Sequence, residues 1–195
     1  TADAMYQNID FLKRRHEPYV IISSGDCVYK MDYNKVLDYH IAKKADITVV
    51  CKDMPADANI NRFGVVRMNE DSRIVEFEEK PIIAQSNTIS TGVYVIRRRQ
   101  LIEILEKSAE ENRFDFVADV LIRYKNIKRI YGYKTKEYWS NIASVDDYYR
   151  TNMDFLKQDV RNYFFRQEPK IYSKVDDLPP AKYNIGSEIT NSLIS

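Results

Sequence analysis

The sequence predicts an α/β protein built on a mostly parallel sheet with a β-hairpin insertion, and three observations carry that expectation. Val20, Ile21 and Ile22 are consecutive β-branched residues, as are Ile47, Thr48, Val49 and Val50 ahead of Cys51; such runs suit strands covered on both faces, as parallel strands are. Between them Val36, Leu37, His40 and Ile41 recur at helical spacing, so strand, helix and strand follow one another as in a βαβ unit with a right-handed crossover. Beyond Gly64 the pattern becomes two short apolar runs about a polar turn, the signature of a hairpin.

The elements follow in order. Ala4 to Arg15 carries Met5, Ile9 and Leu12 at helical spacing and predicts one helix leading into the Tyr19 strand. In the hairpin, Val65, Val66 and Met68 precede the turn Asn69-Glu70-Asp71-Ser72, and Ile74, Val75 and Phe77 follow it. Its second arm ends in Glu78-Glu79-Lys80-Pro81, because proline has no N–H for a ladder. Thr91 to Ile96 reads as a strand, Leu101, Ile102, Ile104 and Leu105 as a helix, Asp115 to Tyr124 as a further helix, and Ile127 to Tyr133 as a strand. Ser144-Val145-Asp146-Asp147 resembles a capping box with Asp in place of Glu, opening an amphipathic helix through Tyr148, Met153, Phe155 and Leu156. Pro169, Pro179 and Pro180 then punctuate an extended linker. The tail, with Ile185-Gly186, Ile189 and Leu193-Ile194, is compatible with the first coil of a β-helix, although one coil shows no repeat. The expected layout is a main domain over 1–160, a linker over 161–183 and the β-helix start over 184–195.

Composition narrows the function classes. The 195 residues are 44% hydrophobic and 30% charged with a formal net charge of +1, an ordinary globular balance that leaves no electrostatic footprint for nucleic acid or an anionic membrane. No apolar run is long enough to cross a bilayer, and no charged-then-apolar leader opens the chain. Cys27 and Cys51 each follow an apolar run; a cytoplasmic protein with reduced thiols is expected, with a disulfide between neighbouring strand ends as the alternative. His16 and His40 have no ligand company at zinc spacing and are assigned no metal. Arg97, Arg98 and Arg99 read as solvated surface or as residues that steer an anionic substrate. A chain opening on Thr1 and closing on Asn191-Ser192-Leu193-Ile194-Ser195 is expected to be part of a longer protein.

Three places could carry chemistry. Asp26 follows Gly25 at the end of the Tyr19 strand; ligands of open α/β sheets bind at carboxyl strand ends, where a carboxylate suits a metal ion and its phosphates. The other reading makes Asp26 the cap of the next helix. Glycine occurs only five times, and Gly25, Gly64 and Gly92 at strand termini mark either close approach to a ligand or ordinary turns and bulges. Lys80 is either a point charge for phosphate or a surface lysine paired with Glu78. Tyr138-Trp139, at the end of the Ile127 strand, either packs in the core or lines a pocket.

These pieces in this order resemble the sugar nucleotidyltransferases, and within them the glucose-1-phosphate adenylyltransferase family. The matching segments are Thr1-Ala2-Asp3-Ala4, Gly25-Asp26 with Tyr29-Lys30-Met31-Asp32-Tyr33, Phe63-Gly64-Val65, Phe77-Glu78-Glu79-Lys80-Pro81, Ser90-Thr91-Gly92-Val93-Tyr94 and Tyr138-Trp139. The resemblance implies a Rossmann-like catalytic domain followed by a left-handed β-helix, and synthesis of ADP-glucose and pyrophosphate from ATP and glucose 1-phosphate. It implies that Asp26 holds Mg, that Gly64, Glu79, Lys80 and Ser90 surround the sugar phosphate, and that the family's glycine-rich nucleotide loop belongs upstream of Thr1. The protein's part in such chemistry is mostly positioning and charge neutralisation.

Departures from the family pattern shift the expectation. Asn141 stands where a Tyr-Trp-x-Asp segment supplies the second metal-binding carboxylate, and an amide keeps the shape but not the charge. Ala143 replaces the usual Gly, Cys27 a common His, Val117 a common Gly and Thr91 the usual Met. The pattern resembles the GlgD-type subunit of bacterial glycogen synthesis, a catalytically poor regulatory chain that associates with a catalytic GlgC-type partner in a hetero-oligomer. An active adenylyltransferase, or an assembly or ligand-sensing module without substrate binding, are the alternative expectations.

Overall fold

Most of the apolar runs become the expected strands, but their pairing is different. The computed structural model describes residues 1–172, 179 and 181–192. They form two units, Thr1–Ser24 with Tyr33–Lys136, and Gly25–Asp32 with the described residues of 137–195. The first unit holds β1 (Tyr19–Ser23), β3 (Ile47–Asp53), β4 (Gly64–Met68), β5 (Ile74–Glu79), β6 (Thr88–Arg97) and β7 (Ile130–Lys134); the second holds β2 (Cys27–Tyr29) and β8 (Trp139–Asn141). The helices are α1 (Ala2–Tyr6), α2 (Ile9–Lys13), α3 (Tyr33–Ala42) and α4 (Arg98–Glu110) in the first unit, and α5 (Val145–Asp154) and α6 (Gln158–Arg166) in the second.

The large sheet runs β5-β4-β6-β3-β7, with β1 also paired to β6. It is mixed and mostly antiparallel: β6 opposes β1, β3 and β4, and β4 opposes β5, while β3 and β7 are parallel. This corrects the mostly parallel sheet. A run of β-branched residues reports burial on both faces and carries no information about strand direction. The strand-helix-strand order does leave β1 and β3 pointing the same way, since each is antiparallel to β6, but β6 lies between them. The burial argument itself holds for β3, where Ile47 to Cys51 are all buried, and for β6. It fails for β1, which is half-buried, with Ile21 40% exposed.

The pairing of β3 with β6 is irregular. Val49 faces Tyr94 and Cys51 faces Ser90, so two steps along β3 match four along β6 and the register shifts. The surplus residues form a bulge at Thr91 and Gly92. Gly92 has φ +76, and a Cβ there would lie 2.9 Å from Ser24 Cβ, so only glycine fits. The Thr91 hydroxyl donates to the Val50 carbonyl at 3.0 Å, within the interrupted ladder.

The expected single helix over Ala4 to Arg15 is two short ones. The Asn8 side-chain amide donates to the Ala4 carbonyl at 2.9 Å, taking the acceptor that the Asn8 backbone N–H uses in a continuous helix; that N–H turns to Met5 O instead. The hairpin matches expectation: Asn69 Oδ1 accepts from Asp71 N and Arg73 N, and Ser72 takes the left-handed φ of 65 that closes the turn. The Arg97–Arg99 run is not all solvated, for Arg98 Nε donates to Glu17 O at 2.9 Å and Nη1 to Leu12 O at 3.2 Å. The core gathers Ile47 and Val49 of β3, Ile96 of β6, and Leu101, Ile104 and Leu105 of α4.

In the second unit β2 and β8 pair antiparallel, with Cys27 opposite Asn141 and Tyr29 opposite Trp139. Ser144 caps α5 as expected: its Oγ accepts from Asp147 N at 3.1 Å and donates to Asp147 Oδ2 at 2.9 Å. The sequence pattern gives no warning of α6, which buries Val160 and Phe164. Phe164 stacks with Tyr138 and Phe155 at centroid distances of 5.3 and 4.9 Å, so Tyr138 belongs to core packing, its hydroxyl donating to Asp154 Oδ2 at 2.9 Å. Lys30, 4% exposed, donates to the Tyr163 carbonyl and, at 2.8 Å, to Gln167 O, with Nζ 4.5 Å from the Tyr163 ring centroid. Carbonyls at the C-terminal end of α6 and a π face thus compensate a buried cation. In the tail a turn at Ile185-Gly186 is closed by Ser187 N to Asn184 O at 3.1 Å, and no strand forms among its described residues. Leu193 and Ile194, part of the expected β-helix start, lie outside the described residues, as do residues 173–178 and 180 of the expected linker. Neither Cys27 nor Cys51 is in a disulfide.

His40 is 1% exposed, its Nδ1 2.8 Å from Thr48 Oγ1 and its Nε2 without a partner. Burial first, then the Arg97 charge, push its pKa down to about 4, with Asp46 opposing. A base with a depressed folded-state pKa binds its proton in the unfolded chain first, so its stabilising effect is complete above the ordinary value of about 6.5 and is lost as pH falls toward 4. Urea midpoints should therefore show the wild type losing about 2–3 kcal/mol more than His40→Gln between pH 7 and about 4.5.

Candidate functional site

Three of the four sugar-phosphate candidates come from the β4–β5 hairpin and its exit. Gly64 of β4 faces Glu79 of β5. A Cβ at Gly64 would stand 2.7 Å from Phe77 Cε1 and 3.1 Å from Glu79 Oε2, so the missing side chain lets ring and carboxylate close over the backbone. Gly25 differs: a Cβ there meets nothing within 4 Å, and the expected tight corner does not require glycine. Lys80 takes a left-handed φ of 49 immediately before Pro81, while its N–H donates to Phe63 O at 3.1 Å. Such strain in a non-glycine residue costs about 1–3 kcal/mol and persists where the surroundings enforce it. Its ammonium lies 3.8 Å from Glu79 Oε1, so the partner is Glu79 and not the Glu78 of the surface reading. Burial raises the Glu79 pKa, Lys80 opposes, and Asp115 adds to the rise.

The fourth candidate, Ser90, sits on β6 just before the bulge and is 7% exposed. Its Oγ accepts from Gly92 N at 3.3 Å and donates to Tyr94 Oη at 3.3 Å. A cavity of about 150 Å³, which Ser90 does not line, opens between Ser23, Ser24, Gly92, Tyr94 and Phe116. Sequence reasoning does not single out Tyr94, because its place in an apolar run marks it as core.

Asp26 and Asn141 belong to the second unit. After Asp26 the chain enters β2 before α3 begins at Tyr33, so Asp26 is not the cap of the next helix. Asn141 closes β8 and is 9% exposed. Its Nδ2 donates to the main-chain carbonyl of Asp26 at 3.1 Å and lies 3.7 Å from Cys27 Sγ; Ile142 N donates to the same carbonyl at 2.7 Å. The amide is thus used as a donor to backbone, a task no carboxylate performs. Burial pushes the Cys27 thiol up to about 11, Asn141 opposing and Asp26 adding, so it stays protonated. Of these side chains only Asp26 offers a charged ligand to a divalent cation: Asn141 has its amide nitrogen committed and only a neutral oxygen to give, the Cys27 thiol is protonated, and among the described residues no three His, Cys, Asp or Glu side chains gather as a metal cluster.

The first unit is a mixed α/β fold on a mostly antiparallel sheet, with Gly64, Glu79 and Lys80 at one end of its hairpin. The chain belongs to the nucleotidyl transferase family, whose description matches residues 1–158. It is 36% identical over 197 aligned residues to a glucose-1-phosphate adenylyltransferase of Thermosipho melanesiensis, covering all of this chain and 48% of that relative. Relatives of the same name in Bacillus cytotoxicus and Lachnospira eligens are 38% identical, with 52% and 46% of their lengths covered. The chain spans about half the length of the curated relatives it matches.

Two substitutions probe this geometry. Gly64→Ala should cost about 1–3 kcal/mol in thermal unfolding by forcing Phe77 and Glu79 off the backbone. Asn141→Asp should cost about 1–3 kcal/mol as the Asp26 carbonyl loses a donor and gains a neighbouring carboxylate.

Proposed function

We propose that this chain is part of a regulatory, catalytically poor subunit of glucose-1-phosphate adenylyltransferase, the enzyme that converts ATP and glucose 1-phosphate into ADP-glucose and pyrophosphate in cytoplasmic glycogen biosynthesis. Its partner would be a catalytic GlgC-type subunit in a hetero-oligomer. The observation that carries the reading is Asn141, where the amide binds the Asp26 carbonyl instead of supplying a second carboxylate for Mg. Gly64, Glu79, Lys80 and Ser90 would form what is kept of the sugar-phosphate pocket, with the strained Lys80 backbone holding its ammonium in place. The layout that goes with it is 1–160 as the C-terminal part of the nucleotidyltransferase domain, 161–183 as linker, of which residues 161–166 are the packed end of α6 and not extended chain, and 184–195 as the start of a left-handed β-helix. The family match over residues 1–158 supports the first of these boundaries. No helix among the described residues is long and apolar enough to cross a membrane.

In this reading the chain binds and orients the sugar phosphate without driving turnover. Lys80 neutralises phosphate charge, Glu79 and Ser90 meet the sugar, and the backbone at Gly64 lets them approach. An active adenylyltransferase is the second reading, favoured by identities of 36–38% to relatives carrying that name. Pyrophosphate release by the purified full-length protein separates the two. The regulatory reading predicts turnover far below that of a catalytic subunit, together with glucose 1-phosphate binding in calorimetry that Lys80→Ala weakens by about tenfold or more. Turnover equal to that of a catalytic subunit would contradict it.

A further inference from the structure

Ile96 of β6, Ile47 of β3 and Ile130 of β7 lie side by side in the large sheet. Three connections therefore meet at one edge of it: residues 43–46 into β3, 97–99 from β6 into α4, and 123–129 into β7. They are tied to one another, for Asp46 N donates to Arg129 O at 2.9 Å, Arg129 N donates to Asp46 Oδ2 at 2.8 Å, and the Gln100 amide lies between Asp46 O and Lys128 Nζ. These connections hold nine Lys and Arg residues and a single carboxylate, Asp46, in a chain whose net charge is +1. The near-neutral total conceals a basic end. Four of the nine serve the fold: Lys43 pairs with Asp71, Arg123 with Glu111 and Arg129 with Asp46, while Arg98 donates to main-chain carbonyls. Lys44, Arg97, Arg99, Lys125 and Lys128 make no ion pair among the described residues. Nor do they line the sugar-phosphate candidates, since Ser90 lies toward the other end of β6, roughly 20 Å along the strand from Arg97.

The neighbours of these cations say what could cover them. Ile41 is 49% exposed and Ile127 is 76% exposed, and Lys44 N donates to Ile41 O at 3.0 Å. Uncovered aliphatic side chains among guanidinium and ammonium groups suit a protein interface and have no use against a phosphate backbone. The one aromatic residue of the three connections, Tyr124, is partly buried in the core, so no exposed ring is offered for base stacking. A single exposed ion pair is worth little, whereas a surface that brings several carboxylates together gains from all of them. A second copy of the chain does not fit, because a two-fold interface would set Arg97 and Arg99 against like charges. We propose that this basic end is a heterotypic docking face, which receives an acidic, partly apolar surface of the catalytic subunit and disfavours pairing of the chain with itself. The inference rests on the proposed function, in which that partner exists.

Analytical ultracentrifugation of the full-length protein with a purified catalytic glucose-1-phosphate adenylyltransferase subunit tests this. Arg97→Glu combined with Arg99→Glu should raise the Kd of the hetero-oligomer about tenfold or more, and wild-type affinity should fall as salt is added. Lys35→Glu makes the same kind of charge change on an exposed side chain at the other end of α3, and should leave the Kd unchanged. An unchanged Kd in the double variant, with the wild type still assembling, would overturn the inference and leave the proposed function standing. Two further results would overturn it: a wild-type homo-oligomer that the double variant dissociates, or binding of short single-stranded DNA that the double variant loses while its Kd for the catalytic subunit stays at the wild-type value. If the double variant folds poorly, Lys125→Glu with Lys128→Glu reports on the same face from another connection, and an unchanged Kd there overturns the proposal. A folded wild type that does not associate with the catalytic subunit would overturn both the inference and the proposed partnership.

Discussion

The first unit depends on β6 being the shared neighbour of three strands. It pairs with β1 over Val93 to Arg97, with β3 along most of its length and with β4 at Ile89. Being buried at eight of its ten positions, it offers the ladder no alternative partner in water, so every N–H and C=O must be met by strands or side chains. The bulge is where that rule is under most strain, and Thr91 and Gly92 meet it locally, one with a hydroxyl and the other with a left-handed φ. The site inherits its geometry from this compromise. Ser90 stands at one end of the bulge and Tyr94 at the other.

The second unit has a different centre, the carbonyl of Asp26. Asn141 Nδ2 and Ile142 N converge on it, and the short β2–β8 pair is thereby joined through side chain as well as ladder. A carboxylate at position 141 would put a charge beside a carbonyl that has lost a donor, so the amide here has a structural task of its own.

Much of the fold is legible in the sequence where local chemistry decides. The hairpin about Asn69, the cap at Ser144 and the strand at Ile47 all follow from side chains within a few residues of one another. What is not legible depends on distant partners. The direction of β6 is set by which strands flank it, and its β-branched residues are equally at home in either orientation. The break at Asn8 turns on one side-chain amide competing with its own backbone. Of the candidate site, Lys80 is legible from its place between a strand end and a proline, but its left-handed backbone and its pairing with Glu79 are not. Tyr94 is hidden because a tyrosine in an apolar strand is indistinguishable from core until the bulge turns its hydroxyl toward Ser90.

The regulatory reading stands or falls on whether the position 141 side chain serves the fold or a cation. Binding of Mn²⁺ to the full-length protein, followed by electron paramagnetic resonance, tests this without requiring turnover. A structural amide predicts weak binding in the wild type and clearly tighter binding in Asn141→Asp once that variant is shown to be folded. Wild-type binding as tight as that of Asn141→Asp would contradict the structural role.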